Sequence, residues 1–166
     1  QNLDRSDIQD ILVKESSLGK VKQELKDSSK DGTRIWQRVA LTEMSNMIGA
    51  GSVDRIVSDN QDRKLNDIYV YRVIVGDAIT CRHCRKFYGD VGEIPKIYRL
   101  STLLNNGTNY GKKQDQWKAV AGATHPNTRT SQIIELRPGF AVQPGGTMNF
   151  IGESKWKEWV FEHLEG

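Results

Sequence analysis

The feature that most constrains this chain is the placement of its cysteines. Cys81 and Cys84 are the only two among 166 residues, spaced Cys-x-x-Cys and flanked by Arg82, Arg85 and Lys86. Directly upstream, residues 68–75 (Ile-Tyr-Val-Tyr-Arg-Val-Ile-Val) form the most strand-like run in the sequence, rich in β-branched and aromatic side chains. A strand feeding a tight Cys-x-x-Cys turn brings two thiolates toward one point, as at the start of a zinc knuckle. Some forty residues later, His125-Pro126-Asn127-Thr128-Arg129 supplies an imidazole. Structural zinc takes four N or S ligands. Cys81, Cys84 and His125 make three; His83 lies inside the turn and would point away. The natural fourth positions, Thr128 and Thr130, carry the wrong chemistry, so Asp77, Asp90 or a water would complete the shell. Three readings stay open: reduced thiols packed in a small turn without metal, a zinc centre, and a redox disulfide. The chain is expected to need no cofactor, zinc being the one its donors would take.

Length and charge narrow the class. A chain of 166 residues fits one domain, or one domain with a helical arm, and can bury a core without staples. The net charge is only +3, with local basic runs at 82–86 and 112–113. That balance permits contact with nucleic acid without demanding it. No run approaches the roughly 18 apolar residues of a membrane span, and the polar N-terminus has no signal-peptide core. Two cysteines three positions apart build no secreted disulfide framework, which predicts a reducing compartment.

Periodicity predicts the layout. Ser6 and Gln9 have capping-box spacing ahead of Ile8, Ile11, Leu12, Leu18, Val21 and Leu25, a thin apolar stripe interrupted by Gly19. One bent helix or two short ones would end near Gly32. Thr33 would cap a second helix with Ile35, Trp36, Val39, Ala40, Met44, Met47 and Ile48 on its apolar face, stopped at Gly49-Ala50-Gly51, with Ser52 capping a continuation through Val53, Ile56 and Val57. Strand 68–75 and the Cys-x-x-Cys turn follow, with a return strand at Phe87-Tyr88-Gly89. Residues 96–104 read as a short helix, 107–116 as a long loop, and 130–136 as a second strand. Turns are expected at Pro138-Gly139 and Pro144-Gly145-Gly146. A terminal helix capped by Ser154 would share Trp156, Trp159, Val160, His163 and Leu164 on one face. The class is α+β: N-terminal helices (an arm over 1–32), then a 33–166 domain with a small antiparallel β region, the Cys-x-x-Cys turn and a C-terminal helix.

Few groups suggest catalysis. His125, Asn127 and Arg129 could form a small metal-dependent nuclease site, yet no carboxylate stands beside them, and His-Pro-Asn is a good turn sequence. There is no glycine-rich phosphate loop, nucleophile elbow or His-Glu-x-x-His. The expectation is a protein that is not an enzyme. Arg82, Arg85, Lys86, Lys112, Lys113 and Arg129 are the cations that would hold DNA phosphates, as in a zinc-knuckle DNA-binding module.

The order of motifs resembles a known family. A helix with Val39-Ala40-Leu41-Thr42-Glu43 precedes the strand, then come Asp77-x-x-x-Cys81-x-x-Cys84, Tyr88-Gly89, a variable loop and His125-Pro126-Asn127-x-Arg129. Over residues 34–138 this is similar to the Mu F-like head morphogenesis family, the minor head proteins of tailed phages. The family's last motif usually reads His-Pro-x-Cys-Arg-Cys; here Thr128 and Thr130 stand at both cysteine places. The resemblance implies a non-enzymatic virion component, present in the host cytoplasm during assembly. It also implies portal or capsid protein as partner, with packaged double-stranded DNA as a second, and neither a membrane nor a small-molecule substrate. One further expectation joins its two motifs. Glu43, within the predicted apolar helix face, would pair with Arg129 and clamp the helix onto the His-Pro-Asn turn; breaking such a buried pair costs roughly 3–5 kcal/mol.

Overall fold

In the computed structural model, residues 18–74, 81–125 and 132–166 are described. The expected helix over 8–17 and positions Asp77, Asn127, Thr128, Arg129 and Thr130 lie outside them. The chain divides into two units, Gln1–Leu41 and Thr42–Gly166.

Helix α1 runs unbroken over Leu18–Asp59. The expected stops at Gly32 and Gly49–Gly51 are absent, and the hydroxyls expected to cap do something else. Thr33 Oγ1 donates to Ser29 O (2.7 Å) and Ser52 Oγ to Ile48 O (2.8 Å), each one turn back within the helix. In the second unit the buried face of α1 carries Gly49, Ser52 and Ile56, continued by Asn60 just past its end. This corrects the predicted face, because Met44, Met47 (71% exposed) and Ile48 lie at the surface. Gly49 explains the reversal. A Cβ there would lie 2.5 Å from Ala121 O, so the glycine is where another backbone packs against the helix. In the first unit Trp36, Val39 and Leu41 are likewise exposed. Glu43 is exposed too, and its expected partner Arg129 is outside the described residues.

The second unit is built on strand β1 (Tyr69–Tyr71), buried along its whole length. It is the centre of an antiparallel sheet of order β2-β1-β3, with β2 at Tyr98–Arg99 and β3 at Ile134–Leu136. Alternate side chains of a strand face opposite sides. Ile68, Val70 and Ile74 accordingly join one core cluster with Ile56, Cys84, Tyr88, Leu100 and Leu103. Tyr69 and Tyr71 join the other, with Leu136, Val142, Trp156 and Val160.

Three local expectations change. Phe87-Tyr88-Gly89 is no return strand: the Cys-x-x-Cys turn opens helix α2 (Arg82–Tyr88), which ends at Gly89 in a positive-φ conformation (φ 97°). Residues 96–104 divide between β2 and helix α3 (Leu100–Asn105), because Tyr98 and Arg99 pair with β1 before the helix begins. Beyond the turn at Gly139, strands β4 (Phe140–Val142) and β5 (Met148–Phe150) make an antiparallel hairpin that periodicity did not reveal, closed through Pro144-Gly145-Gly146. Helix α4 (Glu153–His163) begins one residue before Ser154, with Gly152 at its N-cap position. The fold is α+β, as its sequence predicts.

Candidate metal centre

Cys81 is the N-cap residue of α2. Its backbone is extended (φ −71°, ψ 153°), and its Sγ accepts the Cys84 N–H at 3.3 Å. A cap side chain folded over the first turn lies beside the residue three positions on, so the Cys-x-x-Cys spacing sets both sulfurs on one side of the helix start. His125, in the loop after α3, meets them. Its Nε2 is 3.0 Å from Cys81 Sγ and 3.4 Å from Cys84 Sγ. The three ligand atoms lie within 4.8 Å of one another and could hold a metal ion. Cys84 is buried, whereas Cys81 and His125 are half-buried. Burial pushes the Cys84 thiol up to about 12, helped by its hydrogen bond to Cys81 and by that neighbour's charge, against smaller opposing effects of Thr124 and Arg72.

The His125 loop contains little regular structure, and side chains hold its backbone in place. Asn109 does most. Its Nδ2 donates to Lys118 O (2.9 Å) and Thr124 O (3.0 Å), while its Oδ1 accepts the Lys118 N–H (3.0 Å). Asn106 Nδ2 donates to Ala119 O (2.7 Å), and Asn46 Oδ1 accepts the Ala123 N–H (3.0 Å). The Tyr88 hydroxyl sits against both Val120 N and Val120 O (3.2 Å each) and Thr124 Oγ1 (3.0 Å). Arg72, on the same face of the β1 run as Val70, is 3% exposed. It donates to Gly122 O (2.8 Å) and Ala121 O (2.6 Å) and lies over the Tyr88 ring, 5.2 Å from its centroid. The imidazole is set from outside as well. Trp117 stacks on it (5.6 Å, 18°) and donates its own Nε1–H to Lys112 O.

His83 packs edge-on against Trp117 (5.2 Å) and belongs to no group of converging ligands. Asp90 is likewise not among them; it pairs with Arg85 (3.2 Å) and accepts the Val91 N–H. Of the cations expected to hold phosphates, Arg85 is therefore committed to Asp90, while Arg82 and Lys86 on α2 and Lys112 and Lys113 on the loop are exposed. Arg129 lies outside the described residues. Sequence reasoning missed Arg72, Asn109 and Trp117. Arg72 had a legible signal, a lone cation in an otherwise apolar and aromatic run; the asparagine had none. Comparison of the chain with family models, with curated proteins and with solved structures finds no match.

Proposed function

We propose that this chain is a minor head protein of the Mu F-like kind, a non-enzymatic virion component of a tailed phage or prophage whose domain is stapled by a Cys81–Cys84–His125 zinc centre. One observation supports the reading. Cys81 and Cys84 of one motif and His125 of the other, some forty residues apart in sequence, bring their donor atoms together. The donor set suits zinc, which favours two thiolates and an imidazole over hard oxygen ligands. With Zn–S near 2.3 Å and Zn–N near 2.1 Å, tetrahedral ligands stand about 3.6 Å apart. The observed 3.0 and 3.4 Å would open by about 0.6 and 0.2 Å. Bound zinc would join α2 to the end of the His125 loop and add its binding energy to the stability of the fold.

Partner binding is the expected activity. Trp36, Val39 and Leu41 of the first unit and Met44, Met47 and Ile48 of the second are large apolar side chains at the surface of α1, the kind of surface that a portal or capsid subunit would cover. Packaged double-stranded DNA is a second partner, through Arg82, Lys86, Lys112 and Lys113. The test is co-expression with the portal and capsid proteins of the encoding phage, followed by particle purification and elemental analysis. A few copies per particle, each with one zinc lost on Cys84→Ser, support the reading. Particles that assemble without the chain overturn it. DNA cutting that needs Mg²⁺ or Zn²⁺ and disappears in His125→Ala would put the nuclease reading in its place.

A further inference from the structure

The two sulfurs are arranged for a reaction as well as for a metal. Cys81 and Cys84 stand three residues apart at the start of α2, with Cys81 Sγ folded back to within 3.3 Å of Cys84 N. Residues at i and i+3 of helical geometry have Cα atoms about 5 Å apart, inside the roughly 4.4–6.8 Å that a disulfide spans. Both are free thiols. They differ in access: Cys84 is 1% exposed and belongs to the core cluster with Tyr88, Ile74 and Leu103, whereas Cys81 is half-buried and can be reached from solvent. An accessible sulfur backed by a buried one is the arrangement in which the first is attacked and the second resolves.

We propose that Cys81 and Cys84 form a reversible dithiol–disulfide couple oxidised by hydrogen peroxide, and that this oxidation releases the metal; the release rests on the zinc reading above. The Cys81 thiolate attacks one peroxide oxygen, the O–O bond breaks, and hydroxide leaves, so Cys81 becomes a sulfenic acid. The Cys84 thiolate then attacks the Cys81 sulfur, the S–O bond breaks, and a second hydroxide leaves. Two protons from solvent convert both hydroxides to water. Two electrons pass from the sulfurs to the peroxide, and one S–S bond forms. Disulfide sulfurs are poor zinc ligands, so His125 alone remains. A dithiol reductant reverses the reaction by thiol–disulfide exchange.

The experiment treats zinc-loaded protein with a small excess of hydrogen peroxide. Intact mass, free thiols and released zinc are followed together. The expected result is a loss of about 2 Da, a peptide linking Cys81 to Cys84, disappearance of both thiols and zinc release in step. Dithiothreitol then restores the thiols and zinc uptake. In Cys84→Ser, Cys81 should instead gain about 16 Da or more, because nothing resolves it. Survival of both thiols in the wild-type chain, or oxygen addition without a linked peptide, overturns the couple whatever the zinc content. A linked peptide in a protein that never bound zinc keeps the couple and rejects the zinc reading. Bound zinc beside unreactive thiols does the reverse.

Discussion

The two faces of β1 open onto two differently built regions. Under Tyr69 and Tyr71 lies a core of Leu136, Val142, Trp156 and Val160, covered by regular elements: β3, the β4–β5 hairpin and α4. Its packing is aromatic and aliphatic, with Trp156 edge-on to Tyr69 at 5.7 Å. The one polar atom Trp156 brings, its indole Nε1, has no hydrogen-bond partner among the described residues. Beyond Ile68, Val70 and Arg72 lies the region that carries the site. There the loop backbone from Lys118 to Thr124 is bonded by the side chains of Asn46, Arg72, Tyr88, Asn106 and Asn109. A ladder bonds every peptide in turn and leaves little choice of conformation. Side-chain anchors can hold a loop in the irregular shape that His125 needs to reach the two sulfurs. The difference separates a region made for stability from one made for placement.

Two substitutions should separate stability from placement. Trp156→Ala is expected to cost about 3–5 kcal/mol of stability by the usual toll for truncating a buried aromatic. Zinc affinity should be unchanged wherever the protein remains folded. Arg72→Met keeps the apolar stem but removes two hydrogen bonds from a charged donor, at about 1.5–3 kcal/mol each. It should lower the melting temperature by about as much as Trp156→Ala while also weakening zinc binding tenfold or more. Thermal unfolding with and without a chelator reads both quantities. If the two variants lose zinc affinity equally, the regions are not separable and the contrast fails.

Asn109→Ala sharpens the same contrast on a smaller scale. Its amide serves Lys118 and Thr124 at once, so truncation leaves a buried Thr124 carbonyl without that donor and costs about 1–3 kcal/mol. The Thr124 anchor is adjacent to His125, so zinc affinity should fall in parallel, although less than in Arg72→Met. An unchanged chelator titration would mean that Trp117 stacking, not the asparagine, positions the imidazole.

How much of this was legible in the sequence depends on which interaction shapes each part. The Cys-x-x-Cys spacing and the distant His125 located the converging donors, because ligand chemistry restricts residue type strongly. The central strand was legible because both of its faces are buried and its run is therefore apolar and aromatic but for Arg72, although the strand spans only Tyr69–Tyr71 of the expected 68–75. The site's supports were not. Asn46, Asn106 and Asn109 look like ordinary polar helix and loop residues, and their roles exist only once the loop has closed. The β4–β5 hairpin escaped notice because three-residue strands leave too short an alternation to recognise. Helix α1 was read in pieces and, before Ser52, with the wrong face, since Met44, Met47 and Ile48 are the more apolar stripe and the decisive residue on the buried face is a glycine.

That glycine makes the last test. Gly49 and Gly51 stand two residues apart on α1, and sequence alone treats them alike, as helix-stopping residues. A Cβ on Gly49 would lie 2.5 Å from Ala121 O and 3.0 Å from Gly122 Cα, both backbone atoms that cannot swing aside. A Cβ on Gly51 meets nothing within 4 Å. Gly49→Ala should therefore push the 121–122 backbone off the helix, costing about 1–3 kcal/mol as overpacking does, and loosen the loop that ends in His125. Gly51→Ala should stabilise by about 0.5–1 kcal/mol, through the restricted unfolded chain and the better helix former. Opposite signs in denaturant unfolding are the expected outcome. Equal stabilisation by both would mean that α1 does not pack against the loop backbone at Gly49, and the placement of His125 would lose one of its supports.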